Sequence, residues 1–200
     1  MSTTPSSMSP TITNMIRLDH LHVLAAFHRY RHTSPWWRKR AIVNSSCIAL
    51  EIHAQLEEEI FYPALAKVAG DDPELLKSWP EHDEIRDNIA RLRAMGPENA
   101  AFDALFMRLM NDTLHHVADE ETVLLPRAER LLANDLKALG AQMNRRRVEL
   151  LARRPAEIAV NSAATFPMIS LLLAFGVARG LRRVFRRSRS SNGKGRKMYR

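Results

Sequence analysis

The sequence predicts an all-α protein: an antiparallel four-helix bundle followed by an additional C-terminal helix and a candidate membrane-anchoring segment. Three observations carry this. Apolar residues recur at helical spacing between stretches punctuated by Pro and Gly. No stretch sustains strand-like alternation, and no Asn-Gly or Asp-Gly turn joins two apolar runs. One pattern of His and Glu occurs twice, about 63 residues apart, as two copies of a helical hairpin would give.

The elements follow in order. Residues 1–12 are rich in Ser, Thr and Pro and are expected to be disordered. The bundle is expected over 13–134. Its first helix runs from Thr13, with Thr13 or Asn14 as the cap, to about Arg31, carrying Ile16, Val23, Leu24 and Phe27 on one face. Pro35 suits the first turn of a second helix, which spans roughly 36–68 and holds Pro63. Asp71-Asp72-Pro73 opens a third helix that ends near Met95, before Gly96-Pro97. The fourth extends from about Glu98 to Ala133 with Pro126 inside it. Residues 135–154 form a basic helix or linker containing Arg145-Arg146-Arg147. Residues 155–181 are read as an apolar helix. Within them, 158–178 carry no charged side chain and are long enough to cross a bilayer, though Asn161, Ser162, Thr165 and Ser170 dilute the first half. Residues 182–200 are a basic, disordered tail.

Composition narrows the function classes. A chain of 200 residues that is 46% hydrophobic and 26% charged is globular in type. One cysteine, Cys47, excludes an internal disulfide framework and multi-cysteine zinc or iron–sulfur sites. The first ten residues lack the basic and apolar regions of a secretory signal, so a cytoplasmic location is expected, with membrane attachment through the C-terminal segment. The net charge of +8 hides a division: residues 1–135 carry 14 Lys and Arg against 20 Asp and Glu, whereas 136–200 carry 16 against 2. The basic tail suits contact with an anionic membrane, and no specific nucleic-acid partner is expected from the body.

The repeat carries the chemistry. HAQLEEEIFYP (53–63) and HVADEETVLLP (116–126) both read His, three residues, Glu-Glu, four residues, Pro. Upstream of each lies an acid followed by histidine, Asp19-His20 and Glu81-His82. Positions i and i+4 of a helix are offset by about 40°, so His53 and Glu57 share a face, as do His116 and Glu120. With His20 and His82, four helices supply four histidines and two glutamates to one level of an antiparallel bundle. Facing carboxylates in an apolar interior repel and lose hydration, and cations remove both penalties. Six such ligands suit two metals, each with two histidines and with the carboxylates bridging. Open coordination positions favour iron, while zinc or another divalent metal stays open on these residues alone.

These residues resemble the hemerythrin-type, His-His-Glu cation-binding domain over roughly residues 14–134, through Asp19-His20, His53…Glu57-Glu58…Pro63, Glu81-His82 and His116…Glu120-Glu121…Pro126. The resemblance implies a four-helix bundle with a non-heme di-iron centre. His20, His53, Glu57, His82, His116 and Glu120 are its metal ligands, and Glu57 and Glu120 bridge. It implies binding or sensing of O2, NO or iron rather than enzymatic turnover. Two departures shift that expectation away from stable O2 carriage. Arg86 stands where oxygen-carrying members have a further histidine one turn after His82, and His116-xxx-Glu120 replaces their His-x4-Asp. The alternatives are an oxidoreductase acting on peroxide or ferrous iron at the same centre, and a metal-free bundle whose basic tail binds membrane or nucleic acid.

Plainer roles are expected elsewhere. Glu58, Glu59 and Glu121 read as a solvated acidic face. His22, His28, His32 and His115 point away from the predicted interior or sit near a helix end. Cys47 reads as a buried filler, and Trp36, Trp37 and Trp79 as packing at the bundle ends. Arg86 is costly in the core unless paired, so it either reaches a carboxylate near the site or turns outward, and the outward placement is favoured. Val23, Leu24, Phe27, Leu50, Ile60, Ile85, Ile89, Leu109, Val123 and Leu124 are expected to line an apolar pocket beside the metals.

Overall fold

The structure is a computed structural model and describes residues 10–157. Every regular element among them is helical: α1 (Ile12–His28), α2 (Trp36–Leu56), α3 (Tyr62–Ala69), α4 (Pro73–Ala94), α5 (Phe102–Asp119), α6 (Leu125–Leu131) and α7 (Leu136–Ala152). A π turn at Glu57–Phe61 joins α2 to α3, and another at Glu120–Leu124 joins α5 to α6. The chain is therefore four rods in two hairpins, α1 with α2–α3 and α4 with α5–α6, with α7 packed against α1 and α2.

Local chemistry sets the ends. Thr11, rather than Thr13 or Asn14, caps α1: its side chain accepts from the Asn14 amide at 3.3 Å, while Thr13 is buried. The helix stops at His28, earlier than expected, and the Arg31 guanidinium covers the freed carbonyls of His28 and Tyr30. Asp72 caps α4 by accepting from the Glu74 amide at 3.1 Å, with Pro73 in the first turn. Gly70 ends α3 at φ 68°, a left-handed conformation that side chains with a Cβ rarely adopt. The fourth rod begins at Phe102, not near Glu98, because Asn99 and the Gly96–Asn99 turn bind the intervening amides.

The expected second and fourth helices are continuous rods, yet each widens by one π turn immediately before its proline. Pro63 and Pro126 have no N–H for the carbonyl four residues back, and their rings crowd that turn. The wider turn relieves the conflict: the Tyr62 amide reaches Glu57 O, and the Leu125 amide reaches Glu120 O. The two copies of the repeat thus share a backbone irregularity at the same position.

The apolar interior divides in two. One cluster holds Ile16, Leu56, Phe61, Leu65, Leu124 and Leu125, together with Met143 and Leu150 of α7. The other holds Val23, Phe27, Leu50, Ile85, Ile89, Phe106 and Leu109. Among the described residues no helix is long and apolar enough to cross a membrane. The expected anchor and basic tail lie almost wholly outside the described residues, which end at 157.

Candidate metal centre

His20, His53, Glu57, His82, His116 and Glu120 are all buried, both glutamates completely. They come from α1, α2, α4, α5 and the starts of the two π turns, and they meet at one level of the bundle. His53 Nε2 lies 3.2 Å from Glu57 Oε2, and His20 Nε2 lies 3.2 Å from Glu120 Oε2. His82 Nε2 is 3.4 Å from Glu57 Oε2, and His116 Nε2 is 3.6 Å from Glu120 Oε2. Two donor sets result, His20–His53–Glu57–Glu120 and Glu57–His82–His116, whose ligand atoms lie within 4.8 Å of one another.

The outer ring nitrogens explain why the inner ones face the centre. Nδ1 of His20 meets Glu121 at 2.9 Å, that of His82 meets Glu58 at 2.9 Å, and that of His116 meets Glu81 at 2.9 Å. His53 Nδ1 faces Asp19 Oδ2 at 3.6 Å. An ionised carboxylate only accepts, so Nδ1 of a neutral ring carries the hydrogen and Nε2 keeps its lone pair. That is the arrangement by which carboxylates orient metal-binding histidines.

The centre has the polar surplus a cation would satisfy. His20 Nε2, His53 Nε2, both oxygens of Glu57 and Glu120 Oε2 are buried without a hydrogen-bond partner. Such orphans are rare unless they serve a site. His82 Nε2 and His116 Nε2 lie only 3.0 Å apart. Burial, and next the charge of Glu120, push the Glu57 carboxyl well above the usual range. Burial likewise opposes charge on Glu120, but His116, His20 and His53 outweigh it and hold the group below that range. Burial lowers His53 to about 4, whereas on His20 the contacts with Glu120 and Glu57 overcome burial and raise it to about 9. The imidazole–carboxylate donor set fits first-row metals.

Beside the inner nitrogens lies a cavity with room for about one water-sized molecule. Its lining includes the four histidines, Val23, Leu50, Ile85, Ala54, Thr113 and Val117. Of the other residues expected there, Phe27, Ile60, Ile89, Leu109 and Leu124 are bundle core instead.

Two expectations about the surroundings are corrected. Glu58 and Glu121 are not a free acidic face, since each reaches across to a histidine of the other hairpin. Glu59, one step further round, is exposed and pairs with Arg146. Arg86 does not simply turn outward: its guanidinium binds Glu58, the acid that holds His82, and also Asp83 at 2.7 Å. Burial opposes ionisation of Glu58, and the contacts with His82 and Arg86 outweigh it to keep the pKa low.

Tyr62, inside the first copy of the repeat just before Pro63, is a residue that sequence reasoning did not select. Its hydroxyl donates to Glu120 Oε1 at 2.9 Å and lies 3.3 Å from His82 Nε2. Burial, then the charges of Glu120 and Glu57, raise its pKa well above 10, so it remains a neutral O–H. The equivalent place in the second copy is Leu125, so the two copies differ at the centre itself. Half-exposed Trp79 packs on Tyr62, whereas Trp36 and Trp37 are exposed rather than packed. His22, His28, His32 and His115 are exposed, as expected.

Comparison with known proteins gives three findings. The sequence model described as "Hemerythrin HHE cation binding domain" matches residues 11–128. A curated protein of Nostoc sp. named "DNA nickase" is 26% identical over 115 residues, 56% of this chain and 32% of that protein. The chain therefore spans about a third of that relative's length. A crystal structure of a hemerythrin HHE cation binding domain-containing protein from Mycobacterium kansasii shares the fold, with TM-score 0.62 and 17% identity over 81% of this chain and 97% of that one.

Proposed function

The chain belongs to the hemerythrin HHE cation-binding family, and on that premise we propose that it holds two iron ions and binds or senses O2, NO or iron with them. In this reading His20 and His53 hold one ion, His82 and His116 hold the other, and Glu57 and Glu120 are shared. The observation that carries it is the set of buried, unpartnered nitrogen and oxygen atoms converging from four rods. Iron held there would supply a redox-active cation able to take up a small ligand. The protein orients the ring nitrogens through four acids, and the small apolar-walled cavity limits what can approach.

Iron quantification with optical spectroscopy of the reconstituted protein tests the reading. The expected result is about two irons per chain with near-ultraviolet charge-transfer bands, and loss of iron in His53→Ala and His116→Ala. Less than one equivalent of iron after reconstitution defeats it and favours a metal-free helical scaffold.

A second reading has one observation in its favour. Tyr62 presents a neutral O–H to Glu120, 2.9 Å away. A proton donor at that place suits an oxidoreductase acting on peroxide or ferrous iron better than a simple binder. Peroxide consumption or iron oxidation beyond the stoichiometry of the centre, lost in Tyr62→Phe with iron retained, favours this reading. Binding without turnover favours the first. Attachment of the C-terminal segment to an anionic membrane remains a proposal resting on its composition.

A further inference from the structure

Each acid that holds a histidine is itself held from outside by a cation. Arg17 meets Glu121 at 3.4 Å, Lys77 meets Glu81 at 3.3 Å, and Arg86 binds Glu58. These three cations lie within the residues matched by the family. The fourth does not: Arg147, on α7, donates from Nη2 to Asp19 Oδ2 at 2.5 Å. That same oxygen faces His53 Nδ1.

The position of Arg147 within α7 is informative. Gly140, Met143, Arg147 and Leu150 recur at steps of three, four and three, which places them on one face of the helix. Gly140, Met143 and Leu150 on this face are buried. At Gly140 the backbones come so close that a Cβ would lie 2.2 Å from Pro10 O. Docking alone would be served by an apolar residue at 147. Between buried Met143 and Leu150, Arg147 is instead a half-buried arginine committed to an ion pair. Its partner is the acid facing a histidine of the centre. Arg146 on α7 and Arg154 just beyond its end also bind the body, at Glu59 and Glu51, but among the described residues neither acid is seen against a histidine.

We propose that α7 is a working part of the metal centre: Arg147, acting through Asp19, positions His53, so that the docked state of α7 governs how firmly that side holds its ion. His53 has the longest acid contact of the four histidines, 3.6 Å against 2.9 Å, and its acid is the one anchored by an added helix. Arg147 is a positioning residue and touches no ligand atom of the centre.

The inference rests on the iron reading above, and the experiment separates the two. Full-length wild type, Arg147→Ala, Arg147→Lys, Arg146→Ala and Gly140→Ala are loaded with iron. Release to an excess of chelator is then followed, with Mössbauer spectra of the loaded state. Gly140→Ala favours helix in α7 itself while lifting it off α1, so it tests docking without melting the helix. Arg147→Ala and Gly140→Ala are expected to release one of the two irons about 10–100-fold faster, with one of two Mössbauer doublets altered. Arg147→Lys is expected to restore much of the retention, and Arg146→Ala to match wild type. Release from Arg147→Ala at the wild-type rate overturns the inference and leaves the iron reading standing. Equal acceleration in Arg146→Ala also overturns it, because general anchoring of α7 then explains the effect. A wild type that takes up no iron removes the reading and the inference together.

Discussion

At the scale of single residues, the same side-chain type does different work one helical step apart. Glu57 enters the interior, Glu58 reaches a histidine on the neighbouring hairpin, and Glu59 pairs at the surface with Arg146. The six inward residues were legible because the His-xxx-Glu unit occurs twice. The roles of Glu58 and Glu121 were not, because they depend on which helix lies alongside, and periodicity does not say. A signal was nevertheless present: the acids before His20 and His82 and after Glu57 and Glu120 repeat as faithfully as the six inward residues do. Cys47 behaves as a buried filler, and burial raises its thiol pKa to about 12. The protonated thiol is the form that the fold prefers. Its contribution to stability is therefore complete below the unfolded value of about 8.5 and fades as pH rises from there towards 12. At pH 8 an aromatic disulfide reagent is expected to titrate no thiol in the native protein and one after denaturation. Rapid reaction of the folded protein would contradict this burial.

At the scale of elements, the helices were readable from their punctuation, whereas the two π turns were not. A proline six residues after a glutamate on a helical face looks like a kink or an end. Whether the chain breaks or merely widens depends on packing on both sides, here Phe61 and Tyr62 in one copy and Leu124 and Leu125 in the other. Arg86 illustrates the same limit, since an arginine one turn after His82 finds its partner only when the next rod is in place. Caps lie closer to sequence. Asp72 is buried, holds the Glu74 amide and also pairs with Arg127 of α6, so it ties the start of α4 to the end of the second hairpin. Asp72→Ala is expected to lower the unfolding free energy by about 1–3 kcal/mol, combining a lost cap with an unpaired arginine. Chemical denaturation of the two proteins side by side measures it, and an unchanged midpoint would show that the cap is dispensable.

At the scale of the whole molecule, the acidic body meets the start of the basic C-terminal stretch at α7 and just beyond it, where Arg147, Arg146 and Arg154 bind Asp19, Glu59 and Glu51. The charge division visible in the sequence is thus partly an internal attraction rather than only a surface for partners. These contacts are mostly part-exposed and individually modest, so raised salt is expected to loosen α7 before it loosens the four rods.

The six inward side chains also cut the apolar interior across its middle, with Leu56, Phe61 and Leu125 below them and Leu50, Ile85 and Phe106 above. Two small oily compartments in series, parted by a hydrophilic floor, have weak reason to melt together. An ion bound to both hairpins would rivet the compartments into one cooperative unit. Calorimetry of the iron-loaded protein is then expected to give a single sharp endotherm, and the stripped protein a lower, broadened or divided one. An identical trace from both would mean that the floor holds without its rivets.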